Sequence, residues 1–127
     1  MRRRPKMQPP VATLDELLGE ASWLLSRAEA LADDGRQEEA RMELARAAHC
    51  EEQVACVLDA AGRLQEAGIH RVSAASCQEQ VGQYARAVTL LRAALSAPLP
   101  EDYRQEVEQL LVRYLTRARK ELVRHAV

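Results

Sequence analysis

From Leu14 to Ala32, apolar side chains return every three or four residues: Leu14, Leu17, Leu18, Ala21, Leu24, Leu25, Ala28, Leu31 and Ala32. A helix of 3.6 residues per turn gathers that spacing onto one face, and a strand scatters it over two. The stripe is built from Leu and Ala, and so is most of the chain. Among 127 residues there are 22 Ala and 17 Leu, but no Phe, no Asn and a single Ile, and aromatics make up 3% (Trp23, Tyr84, Tyr103 and Tyr114). Ala, Leu, Arg, Glu and Gln are the strongest helix formers, while the β-branched and aromatic residues that strands favour are scarce. The chain is therefore expected to be all-α. Side chains this small fill little volume, so its helices must approach one another closely.

The same periodicity divides the chain. Pro5, Pro9 and Pro10 make residues 1–12 an extended arm, followed by one helical domain over residues 13–127. Thr13-Leu14-Asp15-Glu16 has the form of a capping box at the start of a first helix, and Gly35 stops it. A long second helix is predicted from Gln37 to about Ala67, with Gly62 as a bend and Gly68 as its end. Its apolar face drifts, from Ala40, Leu44 and Ala47 early on to Val57, Ala61 and Leu64 later. A third helix is expected over Ile69–Val81 and a fourth over Tyr84–Ala97. Pro98 and Pro100 lead into a fifth that runs to about His125 as a C-terminal cap. Short connections make neighbouring helices antiparallel.

Net charge is −1, without the basic excess of a dedicated nucleic-acid binder. The charge is unevenly placed, with +4 in residues 1–10 and −5 in residues 11–35. The basic arm is thus one place where phosphate or an acidic partner is conceivable, with a solvated flexible tail as the plainer expectation; the other is the C-terminal Arg113, Arg117, Arg119, Lys120 and Arg124, which a helix dipole explains more simply. No apolar run approaches the roughly 18 residues of a membrane span. The first residues carry charge without the apolar segment of a secretory leader. Cys50, Cys56 and Cys77 lack framework spacing and fit reduced thiols in a cytoplasmic protein. Arg outnumbers Lys by 16 to 2, which resembles the product of a GC-rich, bacterial genome.

Two segments repeat a pattern. Gly35 is followed by Ala40, Leu44 and Ala47, and Gly82 by Ala87, Leu91 and Ala94, at the same offsets of five, nine and twelve. Ala28 and Ala75 lie seven residues before each Gly, and Tyr84 lies two after the second. The chain resembles a tetratricopeptide-repeat-like protein with two degenerate units over about residues 20–100. It departs from the family in its first-helix positions (Leu24 and Arg27, then Arg71 and Ala74), in Glu52 at a closing Pro position, and in a Gly-to-Gly spacing of 47 rather than 34. An unrelated helical bundle is the other fold open at this point.

The resemblance implies a non-enzymatic protein–protein interaction module, an adaptor or a small subunit of a larger assembly. Such a module would hold a partner peptide or amphipathic helix in a groove of first-helix residues. By position those residues are Ser22, Leu25, Glu29 and Asp33, then Ile69, Val72, Ser76 and Glu79. A carboxylate clamp built on Asn and Lys is disfavoured, since Asn is absent and Lys6 and Lys120 fall outside the units. A mixed acidic and apolar groove suits a basic amphipathic segment better. Trp23 lies beside the stripe of the first helix, either under a broad core face or as an interface anchor. If an anchor, Trp23 and the long second helix would suit the alternative function, a self-assembling homo-oligomeric bundle.

Chemistry leaves fewer signals. His70 and Cys77 share a helix face, but two ligands do not make a metal site and no oxyanion donor accompanies them. Catalytic residues, metal ligands and cofactors are accordingly predicted as none. Glu51 falls within the apolar stripe of the second helix. It must either reach solvent as the stripe drifts or pair with an Arg from another helix or subunit.

Overall fold

A computed structural model describes residues 12–125. Five helices follow one another: α1 Leu14–Asp33, α2 Gln37–Ala60, α3 Leu64–Gln80, α4 Tyr84–Leu95 and α5 Glu101–His125. The fold is all-α, and each helix packs on the next in the chain. The arm expected over residues 1–12 lies, apart from Ala12, outside the described residues.

The start of α1 follows the capping expectation, since the Glu16 amide donates to Thr13 Oγ1 at 3.2 Å. The next three connections are one turn used three times. Gly35, Gly62 and Gly82 take φ of 78°, 76° and 85°, and the residue after each (Arg36, Arg63, Gln83) sits near φ −90°, ψ 66°. In each, the Gly amide donates to the carbonyl three residues back: Ala32, Asp59 and Glu79. The amide of the following residue donates to the carbonyl five back: Leu31, Leu58 and Gln78. These bonds satisfy carbonyls that a helix end leaves open, and they need a left-handed residue that only Gly adopts without strain.

Gly62 is thus a full turn rather than a bend, which corrects the long second helix: α2 stops at Ala60 and α3 begins at Leu64. The drifting apolar stripe was the trace of two helices meeting two surfaces. Gly68, expected as a helix end, lies inside α3 and is buried. A Cβ there would stand 2.8 Å from Ala97 Cβ and 3.0 Å from Leu99 Cδ2, so its lack of a side chain lets the segment after α4 cross α3. The fourth helix also ends early, at Leu95. Arg104 of α5 closes that end, donating to the carbonyls of Leu95 at 2.7 Å and Ala97 at 2.6 Å.

With three turns in place, the alanine pattern is threefold. The positions seven before each Gly are Ala28, Ala55 and Ala75, those five after are Ala40, Ala67 and Ala87, and those twelve after are Ala47, Ala74 and Ala94. None of the nine is more than 3% exposed. Small side chains at these places let each helix lie against its neighbours, while Leu24, Leu58, Leu91, Val54 and Val107 fill what remains. Burying one such Leu contributes about 1.5–3 kcal/mol.

Side chains also join helices two apart. Cys77 of α3 belongs to the same buried cluster as Ala21 and Leu24 of α1. Arg86 of α4 pairs with Glu52 of α2, and Arg117 of α5 with Glu79 of α3. So α1, α3 and α5 share one layer, with α2 and α4 in the other. Hairpin α1–α2 and hairpin α3–α4 are joined at the Gly62 end, where Leu17, Val54, Ala55, Leu58 and Ala67 seal the space between them. Their free ends, at Gly35 and Gly82, point the other way.

Candidate binding cleft

Toward those free ends the two hairpins part. The gap is an open cleft of about 670 Å³ between the last turns of α1 and α3 and the first turns of α2 and α4. Leu25, Ala28 and Ala32 of α1, Leu44 of α2 and Tyr84 of α4 give it apolar walls, and Glu29, Asp33 and Glu79 bring carboxylates to it. At this level α1 and α2 present Ala28, Ala32 and Ala40, while at the joined end Leu17 and Leu58 pack in one buried cluster with Val54, Ala55 and Ala67.

Four of the nine residues expected at a binding surface meet here: Leu25, Glu29, Asp33 and Glu79. The α3 half of the expected groove is instead covered by α5. Val72 is only 9% exposed and packs in the cluster that contains Tyr114, so it is a core residue and not a groove residue. Ser76 lies near Tyr114, and Glu79 is paired with Arg117. Ser22 and Ile69 are exposed elsewhere. Trp23 is 58% exposed, so no broad core face covers it, and the Arg27 guanidinium stacks 5.6 Å from its ring centre. Arg27 in turn lies 3.6 Å from Glu43 of α2.

Sequence reasoning left out Leu44, Gln37, Arg41 and Tyr84, all cleft residues from the second helices of the hairpins. The offset pattern had already marked Leu44 and Tyr84, but as packing positions. Nothing in a linear pattern says that packing stops there.

Glu51 answers differently from both alternatives. It is 6% exposed, and its partner is neither solvent nor Arg but His70 of α3. Nδ1 of His70 donates to Glu51 Oε2 at 2.6 Å. The pair ties α2 to α3 in the middle of the molecule, close to Cys77. Burial, with the Glu51 charge second, pushes the Cys77 thiol up to about 11, so it stays protonated at neutral pH. A neutral, buried thiol is a poor nucleophile. Cys50 is raised in the same direction and mainly by burial, whereas Cys56 is exposed on α2. Among the described residues no three His, Cys, Asp or Glu side chains gather as a metal site. Among them, too, no helix is long and apolar enough to cross a membrane.

Comparison of the chain with protein-family models finds no match, and comparisons with curated proteins and with solved structures find none either.

Proposed function

We propose that the protein is a non-enzymatic interaction module, tetratricopeptide-like in its hairpins, that receives a basic amphipathic segment of a partner protein between them. The observation that carries this reading is the cleft itself. Here the facing surfaces of the α1–α2 and α3–α4 hairpins are left apart rather than sealed. Its lining has the make-up of a peptide groove: Leu25, Leu44 and Tyr84 for apolar anchors, with Glu29 and Asp33 to steer and orient cations. Cys50, Cys77 and the part-buried Glu51–His70 pair belong to the packing of the helices, which favours binding over chemistry.

A synthetic helical peptide with one Leu face and one Lys face, carrying a fluorophore, tests this by anisotropy. The intact chain should bind it, and the chain with Glu29→Lys and Asp33→Lys should lose at least about tenfold in affinity, near 1.4 kcal/mol. Equal binding by both chains, or equal binding of a Leu/Glu peptide to the intact chain, would contradict the reading.

A further inference from the structure

Ala12 is the first described residue, and it sits at the joined end of the hairpins, half-buried against the cluster that holds Leu17 and Leu58. From there one face of α1 leads to the cleft. Leu18, Ser22, Leu25, Glu29 and Asp33 follow one another at steps of three or four residues, so they share that face. Leu18 and Leu25 are only half-buried along it. Glu29 and Asp33 stand at its far end, about 22 and 28 Å beyond Leu14.

The charges of the cleft are not balanced among the described residues. Arg41 also lines it but lies 3.8 Å from Glu38, and Glu79 is paired with Arg117. Glu29 and Asp33 form no ion pair among the described residues. Residues 1–11 lie outside that set, and by sequence they carry the opposite sign: Arg2, Arg3, Arg4 and Lys6, with no acid. Their reach matches the distance. An extended chain covers at most about 3.3–3.6 Å per residue, so Arg4 can stand about 26 Å from Ala12 and Arg2 about 33 Å. Laid along α1, the arginines would come level with Glu29 and Asp33, and Met7 with Leu25. Pro5, Pro9 and Pro10 favour such a run, since each fixes φ and lacks an amide hydrogen. Asp15, Glu16 and Glu20 also carry charge on α1, but within about 9 Å of Leu14, short of where extended arginines would fall.

We propose that the cleft is guarded by the basic arm of its own chain. Residues 2–11 run along α1 of the same molecule, with Arg2, Arg3 and Arg4 against Glu29 and Asp33 and Met7 against Leu25. A partner's basic segment enters by displacing them. The inference rests on the cleft being a surface for such segments, as proposed above. A tethered competitor acts at an effective concentration of order mM, so a contact that is weak between separate molecules still lowers the partner's apparent affinity.

The test compares the isotope-labelled intact chain with one carrying Arg2→Ser, Arg3→Ser, Arg4→Ser and Lys6→Ser, first without any peptide. Amide shifts should differ between the two at Leu25, Glu29, Asp33 and Tyr84, although every substitution lies before Ala12. The Leu/Lys peptide should then bind the substituted chain at least about threefold more tightly than the intact one. Cleft amides that match in the two chains would overturn the proposal, and so would differences confined to Asp15, Glu16 and Glu20. Cleft differences that grow with protein concentration would place the arm in another copy and overturn it as well. Equal peptide affinity of the two chains would overturn the guarding arm and leave the cleft standing as a partner's groove. Concentration-independent cleft differences, with no peptide binding by either chain, would support the arm contact and overturn the partner's groove.

Discussion

The joined end of the two hairpins and their free end are built with the same parts and come out differently. Both ends use the same glycine turn, and both place buried Ala at the same offsets from it. At the Gly62 end, Leu17, Val54 and Leu58 fill the space between α1, α2 and α3. At the Gly35 and Gly82 ends Ala28, Ala32 and Ala40 border a cleft, and the hairpins stand apart. The shared turn and its flanking Ala therefore set the direction of the chain without deciding whether the next hairpin is sealed or left open. The closed end is packed shut by one buried cluster, and the open end leaves the cleft.

The contrast breaks most visibly at paired leucines. Leu58 is 2% exposed beside the Gly62 turn, and its replacement by Ala should cost roughly 2–5 kcal/mol in urea unfolding. Leu44→Ala should cost less, about 1–2 kcal/mol, since Leu44 is only partly buried and one side of it faces the open cleft. Equal losses at the two sites would erase the distinction.

The polar tie of the closed half is next. Glu51→Ala removes the acceptor for His70 Nδ1 and leaves a part-buried donor unpaired, an expected loss of about 1–3 kcal/mol. Glu51→Gln, which keeps an acceptor oxygen, should recover part of it. No difference between the two variants would mean that the hydrogen bond does not hold α2 to α3.

Gly68 probes how tightly the segment after α4 crosses α3. Gly68→Ala should destabilise by about 1–2 kcal/mol, because the new Cβ meets Ala97 Cβ at 2.8 Å and neither group can swing aside. Gly19→Ala in α1, where a Cβ meets nothing within 4 Å, should instead stabilise by up to about 1 kcal/mol.

A further effect is a pH dependence at the middle of the core. The Cys77 thiol ionises near 9.0 in its ordinary setting and near 11 in the fold. Between those values the unfolded chain has lost the proton that the folded chain keeps, so stability falls as pH rises through this window. Below about pH 9 the contribution is complete. Denaturation midpoints taken from pH 8 to 11 should decline less in a Cys77→Ala variant than in the unaltered chain. Alkylation at pH 8 should reach Cys56 first, ahead of the buried Cys50 and Cys77.

Much of this fold is legible in the sequence. Leu and Ala at helical spacing predict α1 over most of its length, Thr13 its start, and Gly35 and Gly82 two turns of the same kind. The third turn was within reach, since Ala55, Ala67 and Ala74 keep the offsets around Gly62. It was hidden because Arg71 stands where the other two segments have Leu44 and Leu91. In the structure the part-buried Arg71 pairs with Asp59 of α2, so the position can be polar without breaking the hairpin. Gly68 misled for a related reason, since a helix-breaking residue and a close-crossing residue look alike until the crossing segment is known.

The cleft was half legible. Leu25, Glu29, Asp33 and Glu79 were found by position on the first helices. Val72 and Ser76 were misplaced because α5 lies across them, a contact between segments some 40 residues apart that no local pattern encodes. Leu44 and Tyr84 were visible as motif positions, but whether a motif residue faces a neighbour or a gap is decided by the volumes around it.

The central claim is that binding takes place where the hairpins part. Titration of the Leu/Lys peptide into the isotope-labelled chain, followed by amide chemical shifts, tests it most directly. The account predicts shifts concentrated at Leu25, Glu29, Asp33, Leu44 and Tyr84, with Leu17, Leu58 and Ala67 at the sealed end unmoved. Shifts centred on the exposed Trp23 and Arg27 face, or spread evenly over both ends, would contradict it.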